Sequence, residues 1–326
     1  MRALVTGGAG FIGSHLCEAL VAEGHDVLAV DNLCTGTVKN LEGLSNEPRF
    51  SCEIFDITNP FDFGRVDYIF NLASPASPAE FERLGVETLK VGSLGVFNGL
   101  DVAKRYGAKY LQASTSETYG DAEQHPQAET YWGNVNPIGP RSVYDESKRF
   151  AESTVVAYNR TYKVDTRIIR IFNTYGPRLR GRDGRVISNF MMQALRGDDL
   201  TIYGDGKQTR SFCYVSDLVE GMLRLAHSSE TVPVNIGNPN EFTIEECAKE
   251  VLEVTGSKSM VRYFPLPEDD PKQRCPDITR ARTLLGWGPT IDLRAGLQKS
   301  LRYFTSLLEQ ESCDHRQVLS PAPCPK

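Results

Sequence analysis

Two short stretches hold side chains that could do chemistry together. Residues 114–120 read STSETYG and residues 144–148 read YDESK. Thr115, Ser116 and Glu117 offer two hydroxyls and a carboxylate, while Tyr144 and Lys148, four apart, share one face of a helix. An ammonium beside a phenol draws it below its free pKa of about 10, so that a phenolate can take a proton near neutral pH. A hydroxyl at Thr115, at the end of a strand, can bond the same substrate oxygen. That set suits removal of a hydride from an alcohol, where the O–H proton must leave as well.

A hydride needs an acceptor, and VTGGAGFIG at the start of the chain points to one. Gly7, Gly10 and Gly13 follow a strand pattern and open a helix, where missing side chains let the backbone approach a pyrophosphate at the helix N-terminus. Asp31 lies 18 residues beyond Gly13 at the end of the next strand. A carboxylate there accepts hydrogen bonds from both ribose hydroxyls and repels a 2′-phosphate, which favours NAD over NADP. Asp56 in FDIT has two readings, a hydrogen bond to the adenine or an ordinary strand-end Asp.

These groups must be carried by regular elements, and the first half supplies them in alternation. ALVTGG, DVLAVDN (26–32), VDYIFNLAS (66–74), YLQAST (110–115) and DTRIIRIFNTYG (165–176) read as strands. FIGSHLCEALVAEG, LKVGSLGVFNGLDVAKRYG (89–107) and SVYDESKRFAESTVVAYNRTY (142–162) read as helices. The pattern predicts an α/β fold, a Rossmann-type doubly wound parallel sheet, over residues 1–177 and rejoined by segments around 212–237. Beyond 177 the alternation stops. VISNFMMQAL (186–195) and TIEECAKEVLEVTG (243–256) read as helices and 200–215 as a hairpin or paired strands, while Pro and Gly gather in 232–240, 264–276 and 286–290. A smaller substrate-binding lobe over 178–310 and an untethered tail over 311–326 are expected.

Composition limits the partners. The 326 residues carry 36 Lys and Arg against 42 Asp and Glu, a formal charge of −6 without long basic runs, so nucleic acid and anionic membranes are poor candidates. Eight scattered cysteines without a C-x-x-C pair suggest reduced thiols in a cytoplasmic protein and no metal site. No signal peptide and no membrane-spanning apolar run is expected.

With these motifs in order, the chain resembles the extended short-chain dehydrogenase/reductase family from Gly7 to about Leu297. Within it, NLASPASP, STSETYGD, YWGNVNPIGPRSVYDESKR, RIFNTYGPR, DGRVISNF, YGDGKQTRSFCYVSDL and DDPKQRCPDI resemble segments of the UDP-glucuronate decarboxylases, in the same order. The resemblance implies catalysis by Thr115, Glu117, Tyr144 and Lys148. It implies NAD held by Gly7, Gly10, Phe11, Ile12, Gly13, Asp31, Asn32, Asp56, Ile57, Leu72 and Ala73 with Tyr144 and Lys148. For UDP-glucuronate it implies Asn173 and Arg210 at the diphosphate, Gln208 and Tyr203 at the uridine, and Ser116 and Arg178 nearby. Arg185 or Arg274, or both, would hold the sugar carboxylate. A homodimer through 89–107 and 142–162 is also implied.

The implied reaction oxidises the sugar at C4, loses the C5 carboxylate as CO₂ into the resulting ketone, protonates C5 and returns the hydride from NADH. Related dTDP-glucose 4,6-dehydratases resemble this chain but carry Thr-Asp-Glu at 115–117, because a leaving hydroxyl needs an acid. Ser116 is too weak an acid for that, and CO₂ needs none. Glu117 is left to orient the ring or to handle a water-borne proton. A UDP-glucuronate 4-epimerase and a non-catalytic dinucleotide sensor are the alternatives, the latter disfavoured by the intact Thr115, Tyr144 and Lys148. Four positions depart from the resemblance: Gly92 for an Asn that braces the active-site strands, Asn71 for a His, Lys39 for a basic pair, and Cys275 for a Lys.

Overall fold

Alternation along the first strand decides how the sheet is covered: Ala3 and Val5 enter one apolar core and Leu4 enters the other. Both faces are therefore buried, and helices must lie on each. The computed structural model describes residues 1–266 and 273–318, apart from the side chains of 81–82 and 312–318. Its first half runs β1 (Arg2–Thr6), α1 (Phe11–Ala22), β2 (Asp26–Asp31), β3 (Phe50–Ile54), β4 (Tyr68–Asn71), α2 (Pro78–Arg83), α3 (Gly85–Lys90), α4 (Val96–Tyr106), β5 (Lys109–Thr115), α5 (Ser142–Tyr162) and β6 (Thr166–Ile171). The second half runs β7 (Thr174–Tyr175), α6 (Val186–Arg196), β8 (Leu200–Tyr203), β9 (Thr209–Ser211), β10 (Cys213–Tyr214), α7 (Val215–His227), β11 (Pro233–Ile236), β12 (Glu241–Thr243), α8 (Ile244–Thr255), β13 (Val261–Phe264), β14 (Gln273–Arg274), α9 (Thr279–Leu285) and α10 (Leu293–Val318).

Seven parallel strands form the central sheet in the order β11-β6-β5-β4-β1-β2-β3. The order reverses at β1, between β2 and β4, and such a switch point leaves a crevice beyond the strand ends. Gly7 follows β1, Asp31 ends β2 and Thr115 ends β5, so three motifs that are distant in sequence open onto that crevice. The structure thus has the expected doubly wound parallel sheet, and β11 from the second half completes it.

The remaining strands pair in ways the sequence reading did not foresee. Residues 200–215 form no hairpin: β8 pairs with β13 in parallel, β9 lies between β12 and β14, and β10 pairs with β7. The turn at Gly204 and Gly206 redirects the chain, and each strand finds its partner far away in sequence. The segment read as a tail begins as helix, because α10 continues to Val318, and 319–326 lies outside the described residues.

The helix expected over 89–107 is interrupted by one π-helical stretch at Val91–Gly95 between α3 and α4. Gly92 sits in it, against Ser147 of α5, and a Cβ there would stand 2.6 Å from the Ser147 Cβ. Two backbones approach where the family resemblance would place an Asn side chain. Gly92→Ala is expected to destabilise the protein by about 1–3 kcal/mol through overpacking. Ser147→Gly in the same chain should restore most of that loss in urea denaturation, and an unrescued double variant would mean that the crowding lies elsewhere.

Candidate active site

Burial shapes the site unevenly: Asp31, Lys148, Asp183 and Arg274 are buried, while Glu117, Arg141 and Arg185 keep part of their surface. A cavity of about 490 Å³ runs across the ends of the central strands and under the second-half lobe. The glycine turn forms one wall. Gly7 adopts φ +71°, and a Cβ on Gly13 would fall 2.1 Å from the Gly7 carbonyl oxygen, so no side chain fits there. Gly10 ends the turn as the N-cap of α1, whose N-terminus lines the cavity with Phe11, Ile12 and Gly13.

Asp31 receives main-chain N–H groups from Ala9 at 3.0 Å and Leu33 at 2.8 Å, one on each carboxylate oxygen. Burial raises its carboxyl, opposed by these two donors. Each oxygen keeps acceptor capacity, as a diol-binding carboxylate requires. Asn32 donates to Asp56 at 3.2 Å, and Asp56 also accepts from the Thr58 N–H at 2.9 Å. Ile57, Leu72 and Ala73 complete this end. Turn, helix N-terminus and paired-acceptor carboxylate together fit a dinucleotide.

Across the strand ends, β5 delivers Thr115 and α5 delivers Tyr144 and Lys148. Thr115 and Tyr144 hydrogen-bond side chain to side chain. The Lys148 ammonium donates to the Ala113 carbonyl at 3.0 Å and lies 5.6 Å from the Tyr144 ring centroid. The expected lowering of the phenol is not found. Burial pushes Tyr144 up to about 12, against the Thr115 hydrogen bond and the charge of Arg185. Burial also brings Lys148 down to about 8. The desolvation cost of a phenolate exceeds what the Thr115 hydroxyl and Arg185 return.

Glu117 meets two guanidiniums: Arg141 donates to one carboxylate oxygen at 2.9 Å, and Arg274, arriving on β14, pairs with the other. Burial opposes its ionisation, but the two arginines prevail and hold it at about 2. Glu117 is therefore held as the carboxylate near neutral pH. Arg274 is 3% exposed and also reaches the Ser116 hydroxyl at 3.3 Å. Its charge, expected to be reserved for a substrate carboxylate, is already opposed by Glu117. Arg185 is likewise paired, with Asp183, and Arg178, expected beside the substrate, is paired with Glu18 of α1. Asn173, Tyr203, Gln208 and Arg210 line the lobe side of the same cavity, and Arg210 donates to the Thr209 carbonyl at 2.9 Å.

All the catalytic, cofactor and substrate residues expected from the sequence thus face one cavity. Arg141 was missed, although it stands three residues before Tyr144 in GPRSVY. Asp145 was missed too: it is buried beside the Glu117 cluster without lining the cavity, and its Oδ1 has no hydrogen-bond partner among the described residues. Burial, then the charge of Glu117, raises its carboxyl to about 7.

The comparisons agree with this geometry. Residues 3–237 match the model of the NAD dependent epimerase/dehydratase family. The chain is 48% identical over 322 residues to UDP-glucuronic acid decarboxylase 1 of Xenopus tropicalis, covering 99% of this chain and 76% of that one. It is 52% identical over 304 residues to UDP-glucuronic acid decarboxylase 4 of Arabidopsis thaliana, covering 93% and 68%. Among solved structures, the UDP-glucuronic acid 4-epimerase of Bacillus cereus, in complex with UDP-glucuronic acid and NAD, superposes with a TM-score of 0.85 at 28% identity, covering 94% of this chain and 100% of that one.

Asp145 supplies a pH test. Its raised pKa means that its proton stabilises the fold fully below about pH 4, and that this contribution is lost as pH rises through about 7. Asp145→Asn, which cannot ionise, should gain stability relative to the unaltered chain between pH 5 and pH 8. Parallel urea midpoints over that range would show that Asp145 ionises freely.

Proposed function

Because the chain belongs to the NAD dependent epimerase/dehydratase family, we propose that it decarboxylates UDP-glucuronate to UDP-xylose through a transient 4-keto sugar. The observation that carries this reading is the state of Glu117 beside Ser116, in a chain whose likeness to UDP-glucuronic acid decarboxylases extends over nearly all its length. Expelling a hydroxyl requires a carboxylic acid at the leaving oxygen. Ser116 is no such acid, Glu117 is held ionised by Arg274 and Arg141, and Asp145 lies off the cavity wall. CO₂ leaves without a proton, so this site suits decarboxylation and not dehydration.

When bound, NAD supplies the reversible two-electron oxidation at the sugar C4 that makes and later removes the ketone. The glycine turn, the N-terminus of α1 and Asp31 would hold it. Thr115 and Tyr144 bind the C4 oxygen, with Tyr144 taking its proton and giving it back. Arg185 and the Thr115 hydroxyl favour the phenolate, against its burial. Once C4 is a ketone, the C5 carboxylate is that of a β-keto acid, and the bonding electrons flow into a carbonyl oxygen held by the Tyr144 and Thr115 hydroxyls. Glu117, unable to take the proton itself near neutrality, orients the water that protonates C5. Arg141 and Arg274 against the single charge of Glu117 leave the cavity wall net positive toward the sugar carboxylate, with Arg185 beside its Asp183 partner on the same wall, and Asn173, Arg210, Gln208 and Tyr203 face the nucleotide.

No helix of the described residues is long and apolar enough to cross a membrane. The six cysteines in the described part are free, in keeping with a cytoplasmic enzyme. A homodimer is part of the same reading: Val86, Leu89, Leu94, Phe97, Phe150 and Tyr162 are large apolar side chains exposed along α3 to α5. Apolar side chains exposed on neighbouring helices seek a partner, and a second copy offers the same side chains by two-fold symmetry.

Proton NMR with UDP-glucuronate and catalytic NAD⁺ in D₂O tests the reaction. A UDP-pentose with deuterium at C5 is expected, and Tyr144→Phe should abolish it while NAD still binds. UDP-galacturonate with its carboxylate intact would make the chain a 4-epimerase. For the dimer, light scattering should give twice the chain mass, and Phe97→Glu should shift it toward monomer; a monomer before any substitution would refute the pairing.

A further inference from the structure

Outside the cavity, three side chains that ligate metals converge from distant parts of the chain. His125, Glu241 and Cys275 each present one ligand atom, and these atoms all lie within 4.8 Å of one another. His125 Nε2 stands 2.9 Å from a Glu241 carboxylate oxygen. Glu241 begins β12, and Cys275 follows directly on β14. None of the three lines the active-site cavity.

Imidazole, carboxylate and thiolate are the donor types that zinc takes, at bond lengths of about 2.0–2.3 Å. Tetrahedral bonds of that length put ligand atoms about 3.3–3.8 Å apart. A cation at the centre therefore asks the widest pair to close by about 1 Å and the His125–Glu241 pair to open by less. The supporting contacts are in place. Thr209 donates its hydroxyl to the other Glu241 oxygen at 2.7 Å, and the Cys275 N–H donates to the Gln127 side-chain carbonyl at 2.8 Å. The Gln127 N–H in turn donates to the Cys275 carbonyl at 2.8 Å. Such partners fix ligand orientation before the metal arrives. The His125 side chain is 36% exposed, which opens the site to solvent on one side.

We propose that His125, Glu241 and Cys275 bind one divalent zinc ion, with water as the fourth ligand. The thiol releases its proton to solvent as the sulfur–metal bond forms, and the two anionic ligands balance the charge of the ion. The role is structural, since the site stands off the cavity. It joins the loop that carries His125 to β12 and to the end of β14. Cys275 is the neighbour of Arg274, so the ion holds the strand that brings a guanidinium to Glu117.

The test uses cobalt as a spectroscopic stand-in for zinc, on the full chain after chelator treatment, with Cys34, Cys52, Cys313 and Cys324 replaced by Ser. One equivalent of Co²⁺ per chain should give a near-ultraviolet thiolate-to-cobalt band. Cys275→Ser should abolish the band. His125→Ala should weaken binding by more than the roughly 10-fold that even an outer-sphere partner contributes. A missing band, or one that survives in Cys275→Ser, overturns the proposal. Equilibrium dialysis of the unsubstituted chain against micromolar Zn²⁺ needs no folded variant: a ratio near one ion per chain supports the site, and a ratio near zero overturns it.

Discussion

The contact between Glu117 and the two guanidiniums of Arg141 and Arg274 holds the rest of the site in place. Its three members come from the end of β5, the approach to α5 and the second-half lobe. Taking a carboxylate and two guanidiniums partly or wholly out of water is costly, and their close pairing offsets that cost. Removing Glu117 would leave two guanidiniums facing one another without a counter-charge, so the lobe cannot easily take another position against the sheet. The same contact decides the chemistry. A carboxylate held near 2 orients water or substrate but is no proton donor near neutrality.

Burial acts on Tyr144 and Lys148 without such compensation. Both lie in the wall of one cavity, and each is pushed toward its neutral form, the phenol upward and the ammonium downward. The two shifts share a cause and oppose the simple picture of an ammonium taming a phenol. What favours the phenolate is local: the Thr115 hydroxyl and the charge of Arg185. A phenol kept neutral is also a hydrogen-bond donor, which is what a ketone oxygen collecting charge from a departing carboxylate needs.

Legibility followed sequence distance. The α5 helix was readable at both ends because its apolar spacing is regular, and the turn at Gly7 to Gly13 because a strand and a helix flank it within a few residues. Asp31 followed from the length of one strand–helix–strand unit. Partners set by tertiary approach were not readable. The strands at 200–215 have turn chemistry between them and still pair elsewhere, with 241–243, 261–264 and 273–274. Arg141 sits in a quoted motif, yet nothing local says that it points at Glu117. His125 and Glu241 are 116 residues apart, and no spacing rule for metal ligands reaches that far. The lowering expected for Tyr144 failed for a related reason: sequence shows the neighbouring ammonium but not the depth of burial that outweighs it.

Two departures from the family resemblance show how a local task can be met by other side chains. Asn71, buried in β4, accepts from the Thr6 hydroxyl of β1 at 2.6 Å and donates to Gln112 of β5 at 2.9 Å. One amide thus spans three adjacent strands, because it carries an acceptor and a donor on the same short side chain. Tyr110 donates to the same Gln112 oxygen at 3.0 Å, and Gln112 passes its own donor to the Ala113 carbonyl. Ala113 is the residue whose carbonyl also receives Lys148. The ladder therefore connects the strand that ends in the glycine turn with the strand that presents Thr115. Buried polar chains of this kind are costly when broken and specific when complete. At Gly92 the solution is the opposite one, removal of the side chain so that Ser147 of α5 can approach. Both arrangements fix the distance between the dinucleotide end and the Tyr144 end, and that distance is what a hydride-transfer site must hold constant.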